Sequence, residues 1–270
     1  MYHYVKSISY TPRSNDEIKI KEELDFLAEQ GYQMIRLIDD VNTSRQVVEI
    51  IVKHHINLEV FLGIKFSPEL IDQEAPLEKI IKTKDVILNK RSNQQKVTEL
   101  ISLANQYEEI ISYVSVGYLN ISSFDYHMIS VVELSKYLKM VKPKIKQPLT
   151  YSDSFYLWNT KLKELANLVD FIGIHVHPYY QDKFLSEAVD YTVLVLEASQ
   201  ENFNDKPVVL TETGYPRVNK EKLHITEEQR FYVDTIQQVM TEKNILVTIY
   251  EAFDSIDRLN PYLEKHGLYE

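Results

Sequence analysis

The chain has 270 residues, 44% of them hydrophobic, enough to bury a large core and to fit one α/β barrel. Its formal charge of −10 would repel a phosphate backbone, which argues against nucleic acid as a partner. It has no cysteine, which excludes disulfides and thiolate metal sites. The opening strand is predicted from Val5 to Tyr10, followed by a helix from Asp16 to Gln30. Ile18, Ile20, Leu24, Leu27 and Ala28 approximate one face of that helix, and Gly31 suits its end. A second strand over Gln33 to Ile38 and a helix over Ser44 to His55 come next, then a third strand from Leu58 to Ile64. Residues 65 to 92 read as a long polar connection with short helical pieces, before a helix from Lys96 to Gln106.

Ile110 to Gly117 forms the fourth strand and Val131 to Val141 its helix. Pro148 to Ser152 gives a short fifth strand, with a helix around Lys161 to Asn167. Val169 to His175 and Leu185 to Asn202 make the sixth unit, and Pro207 to Glu212 with Thr226 to Met240 the seventh. Ile245 to Tyr250 is the eighth strand, and the tail from Asn260 is a candidate truncated last helix. Eight strands with interposed helices predict a single (β/α)8 TIM barrel spanning residues 1–270. Apolar runs such as Phe171 to Ile174 and Val208 to Leu210 suit strands buried on both faces. An open doubly wound sheet is the competing architecture, but no Gly-rich phosphate loop follows the first strand. The N-terminus lacks the basic and apolar regions of a signal peptide, and no run approaches the roughly 18 apolar residues of a membrane span. The expectation is a cytoplasmic protein with no membrane partner, acting as a monomer.

A barrel of this kind places its active site at the C-terminal ends of its strands. The second strand carries Arg36 there. The fifth ends in Thr150-Tyr151-Ser152-Asp153, the sixth in His175-Val176-His177-Pro178-Tyr179-Tyr180, and the seventh in Thr211-Glu212-Thr213-Gly214-Tyr215-Pro216. The eighth ends in Glu251-Ala252-Phe253-Asp254. Carboxylates, imidazoles and aromatic rings converging on one cleft suit a sugar, whose hydroxyls bond carboxylates and whose apolar faces stack on rings. His175 and His177 are read as pointing to opposite sides of the extended segment, with His175 facing the cleft, so a two-histidine metal site is not expected. No cofactor or metal is implied.

The order of these segments resembles that of glycoside hydrolase family 17, the β-1,3-glucanases. Thr211 to Pro216 is similar to the family's E-T-G-W-P nucleophile motif, with Tyr215 for Trp. Glu228-Gln229-Arg230-Phe231 resembles its N-Q-A-x-F helix, and Glu251 to Asp254 its E-A-F-D segment. Asp170 to His175 with Pro178-Tyr179 resembles D-F-I-x-V-H-x-x-P-Y. Pro148 to Asp153 resembles P-V-T-Y-A-D, and Ile35-Arg36-Leu37 the I-R-x-Y strand. Asn93 with Leu100 to Asn105 resembles the helix before the fourth strand. The resemblance implies a polysaccharide or oligosaccharide substrate of β-glucan type and a retaining reaction with Glu212 as nucleophile. It makes Arg36, Tyr151, Asp153, His175, Tyr179 and Glu251 the groups expected to line the substrate.

One departure matters more than the matches. The family's fourth strand ends V-G-N-E, and that Glu is the acid/base; here the segment reads Val116-Gly117-Tyr118-Leu119-Asn120-Ile121. Neither register supplies a carboxyl. A retaining site needs two, about 5–5.5 Å apart. Loss of a general acid/base costs about 10²–10⁴-fold in rate. Three accounts stay open: a glucan-binding or sensor protein without catalysis, a replacement acid at Asp125, Asp153 or His175, or a reaction whose leaving group needs no proton.

Overall fold

In the computed structural model, residues 3–38, 40–70, 82–121, 128–218, 221, 223–254 and 265–269 are described. Eight parallel strands close in sequence order into a barrel: β1 (Lys6–Ser9), β2 (Met34–Leu37), β3 (Glu59–Ile64), β4 (Ile111–Tyr118), β5 (Leu149–Ser154), β6 (Ile172–Val176), β7 (Val208–Thr213) and β8 (Val247–Ile249). β8 pairs with β1 to complete the ring, so the open-sheet alternative is excluded. The outer helices are α1 (Glu17–Glu29), α2 (Val41–His54), α3 (Thr83–Gln106), α4 (Val131–Val141), α5 (Phe155–Thr160), α6 (Leu185–Asn202) and α7 (Thr226–Lys243). Asp16 and Asp40 cap α1 and α2 by accepting backbone N–H bonds of 2.8 and 3.2 Å in each case. Such caps satisfy donors that the first helical turn leaves open.

Three sequence expectations need correction. α3 begins at Thr83 and absorbs the end of the expected polar connection; its first turns carry Ile87 and Leu88 exposed, so no apolar stripe announces them. The fifth helical unit is divided into α5 and a 3₁₀ stretch over Lys163–Leu168. Ile18, read onto the buried face of α1, is 69% exposed, whereas Ile20, Leu24 and Leu27 are buried. The truncated last helix expected from Asn260 falls partly outside the described residues, and 265–269 carry bridge pairings and no helix.

The barrel interior is layered. Met34, Phe61, Tyr113, Phe171, Val209 and Leu246 fill its lower end, with the rings of Phe61, Tyr113 and Phe171 packed 5.7–6.1 Å apart. Above them the residues are small and polar: Ser7 bonds Thr248 at 3.1 Å and Ser115 bonds Ser152 at 3.1 Å. Above those lie the charged groups at the strand ends.

Two irregularities in the strands decide which side chains reach that upper layer. Between β4 and β5, Ser115 pairs with Thr150 but Tyr118 with Ser152, so β4 carries one extra residue. Gly117 sits in that stretch with φ +99°, and a Cβ there would lie 3.0 Å from Asn120 Oδ1 and from the Tyr151 ring. Between β6 and β7, Ile174 pairs with Leu210 but His175 with Glu212, so Thr211 is the extra residue of β7. A bulge inverts the side-chain alternation beyond it. Tyr113 and Ser115 face the axis; unbroken alternation would turn Tyr118 outward, and the bulge brings it inward. Val209 faces the axis, and past its bulge Glu212 does.

Candidate active site

Glu212 is the penultimate residue of β7, at the C-terminal mouth, 2% exposed, and both carboxylate oxygens are engaged. Arg36 of β2, wholly buried, donates from Nη1 to Oε2 at 2.9 Å and to the Thr211 carbonyl at 3.0 Å. The Tyr118 hydroxyl donates to Oε1 at 3.1 Å, and His177 Nε2 lies 2.9 Å from the same oxygen. The carboxylate only accepts, so His177 carries a proton on Nε2. His175 Nε2 lies 3.4 Å from Arg36 Nη2. A guanidinium only donates, so that nitrogen accepts and the ring is neutral.

The electrostatics agree with this geometry. Burial lowers the His175 pKa to about 3, aided by the charges of Arg36 and His177 and opposed by Glu212. Burial pushes Glu212 upward, but the neighbouring histidines and Arg36 outweigh it and hold the carboxyl far below its ordinary value. His175 contributes a positive charge only when protonated, below about 3, so near neutrality the stabilising partners are Arg36 and the N–H of His177.

A pH dependence follows. Between about 6.5 and 3 the unfolded chain protonates His175 and the folded chain does not, so stability falls as pH drops through this window. The slope from this group is about 1 kcal/mol per pH unit. Glu212 adds to the loss below its unfolded pKa, because its depressed folded value stabilises only while the unfolded carboxyl is ionised. Urea unfolding at pH 7.5 and 5.0 checks this: the wild type should lose more stability over that interval than His175→Gln. Arg36→Met should cost about 3–5 kcal/mol, because it leaves a buried carboxylate without its cation. The double variant Arg36→Met with Glu212→Gln should recover a large part of that loss, measured by the same unfolding.

Of the residues expected to line the substrate, Arg36 pairs with Glu212 directly and His175 lies against Arg36. Tyr151 and Asp153 do neither. Thr150 and Ser152 take the inward positions of β5, and Tyr151 and Asp153 point to the helix layer, both fully buried, with the Tyr151 ring 6.2 Å from that of Trp158. Tyr151 Oη accepts from the backbone N–H groups of Asn120 (2.9 Å) and Ile121 (3.0 Å) and donates to Asp153. The pair braces the end of β4 from behind. Tyr179 is half-buried beyond β6, its ring packed on Tyr180 and Tyr215 at 5.6 and 5.5 Å. Glu251 is buried after β8, joined to Tyr250 by a cis peptide bond, and the Tyr250 ring lies 5.7 Å from that of His177.

Tyr118 and His177 were missed. The expectation that His175 and His177 diverge fails on the pleat itself, because residues two apart in an extended segment share a face. Tyr118 was hidden by the β4 bulge; a glycine inside a strand was the available signal for it. Asp125, one proposed replacement acid, lies outside the described residues. Among the described residues, no group of three or more His, Asp or Glu side chains has the arrangement to hold a metal ion. Nor does any described helix have the length and apolarity to cross a membrane.

Glu212 thus stands near the C-terminal end of β7 in a closed (β/α)8 barrel, buried among Arg36, Tyr118 and His177. The sequence profile of the BtgE/BtgC glycoside hydrolase domain matches residues 7–261, and the chain belongs to that family. Among solved structures it is similar to an endo-laminarinase from Formosa Hel1_33_131 (TM-score 0.81, 15% identity, 98% of this chain and 82% of that one). It is also similar to a glycoside hydrolase family 17 β-1,3-glucanosyltransferase from Rhizomucor miehei (TM-score 0.76, 17% identity, 98% and 92%). An active-site mutant of the Rhizomucor miehei β-1,3-glucanosyltransferase in complex with laminaritriose aligns with TM-score 0.73 at 17% identity, over 94% and 89%. Comparison with curated protein sequences found no match.

Proposed function

We propose that the chain binds β-1,3-linked glucan at the mouth of the barrel, with Glu212 as the nucleophile of a retaining-type site. The observation that carries this reading is the ion pair of Glu212 with Arg36 at the strand ends, 2.9 Å long and fully buried, which keeps the carboxylate ionised and fixed in direction. An attacking carboxylate must be ionised, and a fixed one needs little reorganisation. The similar solved structures, an endo-laminarinase and a β-1,3-glucanosyltransferase, favour the same sugar.

The site acts on glycosides whose leaving group departs without a proton, and on natural glucan slowly or not at all. Position 119 is Leu, half-buried, with no carboxyl to offer. Asp153 accepts from Tyr151 and from the N–H groups of Ile121 and Ser154, behind β4. His175 is neutral near pH 7 and has no imidazolium proton to give. A second reading, glucan binding without turnover, is favoured by the low exposure of Glu212 beneath Tyr118. The test is to incubate the protein with laminarin and, separately, with an aryl β-glucoside bearing a good leaving group. Turnover of the aryl substrate alone supports the proposal. Turnover of both points to another acid, and laminarin binding without either supports the second reading.

A further inference from the structure

Glu212 has a carboxylate aimed at the barrel axis and yet is only 2% exposed. Tyr118 of β4, itself 8% exposed, is one of the side chains packed against it. Its hydroxyl is 3.1 Å from Oε1, its ring is 5.3 Å from that of His175, and the Arg36 guanidinium lies 5.4 Å from the ring centre. One side chain from β4 thus reaches β2, β6 and β7 together. A sugar ring attacked by Glu212 must put its anomeric carbon against that same carboxylate.

Resting on the glucan reading above, we propose that Tyr118 occupies the seat of the reacting sugar and is the residue that sets access to Glu212. Sugar enters only when the tyrosine withdraws. The withdrawal is a side-chain rotation, because the backbone there is pinned. Tyr118 N–H donates to Asn120 Oδ1 at 2.9 Å, and Leu119 N–H to the Ser152 carbonyl at 3.2 Å. Gly117 and Leu119 flank it with φ of +99° and +51°, a turn that aims residue 118 inward. Any ligand binds the fraction of molecules whose seat is open, so its apparent affinity falls by that fraction.

The test uses the full chain with Tyr118→Ala and Tyr118→Phe, and two readouts. Calorimetry with laminaritriose should show Tyr118→Ala binding about tenfold or more tighter than wild type, with Tyr118→Phe between them, since the phenylalanine loses only the bond to the charged oxygen. Coupling of carboxyls to an amine by a water-soluble carbodiimide, mapped on peptides, should modify Glu212 in Tyr118→Ala and spare it in wild type. Unchanged affinity together with unchanged protection of Glu212 would overturn the proposal. Exposure of Glu212 in Tyr118→Ala with no laminaritriose binding by any form would uphold the gate and overturn the glucan reading. If the alanine variant does not fold, Tyr118→Phe decides: tighter binding or faster coupling than wild type supports the gate, and equality in both removes it.

Discussion

Leu119→Glu combined with Tyr118→Asn is expected to raise laminarin hydrolysis by about two orders of magnitude or more. Residue 119 follows β4 directly, and its neighbour Tyr118 already touches Glu212 across the mouth, so the two strand ends lie on one cleft. The first change supplies a carboxyl at the residue that follows Tyr118 at the mouth, within the reach of a flexible Glu side chain from the cleft. The second removes the ring that covers it and restores the amide that the family 17 pattern has at this position. Two facing carboxyls raise each other's apparent pKa. Arg36 and His177 hold Glu212 ionised, so the introduced carboxyl is the one that keeps its proton near neutrality and acts as the acid. Reducing ends released from laminarin measure the gain. A variant that folds and binds laminaritriose but releases none would show that the mouth differs from a competent hydrolase by more than these two residues.

Glu212→Gln should reduce turnover of an aryl β-glucoside to the uncatalysed background. An amide is not a nucleophile for an anomeric carbon, and among the described residues no other carboxylate is paired with Arg36. The substitution is nearly isosteric, and Arg36 retains the Thr211 carbonyl as an acceptor at 3.0 Å. The variant is therefore expected to fold, and a circular dichroism melt alongside the assay checks that loss of rate is not loss of structure. Unchanged turnover would exclude Glu212 from the chemistry.

The barrel was legible because its signal is repeated. Most of the eight strands hold a short buried apolar run, and most helices carry an apolar stripe, so an error in one leaves the others standing. The errors fell where the stripe fails, as in the first turns of α3. Arg36, His175 and Glu212 were found for different reasons. Arg36 and His175 share the inward face of their strands with Met34 and Gly173, as plain alternation requires. Glu212 does not, since alternation from Val209 would turn it outward, and only its motif and its place at a strand end marked it. Tyr118 had neither advantage: a bulge reversed its direction, and the family pattern holds a different residue there. Tyr151 and Asp153 show the opposite failure. Their motif drew attention, while their parity against Thr150 and Ser152 already assigned them to the helix side of the sheet.

The most direct measurement of the role given to Glu212 is covalent trapping. A 2-deoxy-2-fluoro-β-glucosyl fluoride carries a leaving group that departs without protonation, so it asks for the nucleophile alone, and its fluorine at carbon 2 slows release of the glycosyl–enzyme ester. Intact mass spectrometry of the wild-type protein should show one added fluoroglucosyl group, and peptide mapping should place it on Glu212. The Glu212→Gln variant should take up none. A label on any other residue, or no label on folded wild-type protein under conditions that label Tyr118→Ala no better, would contradict the account.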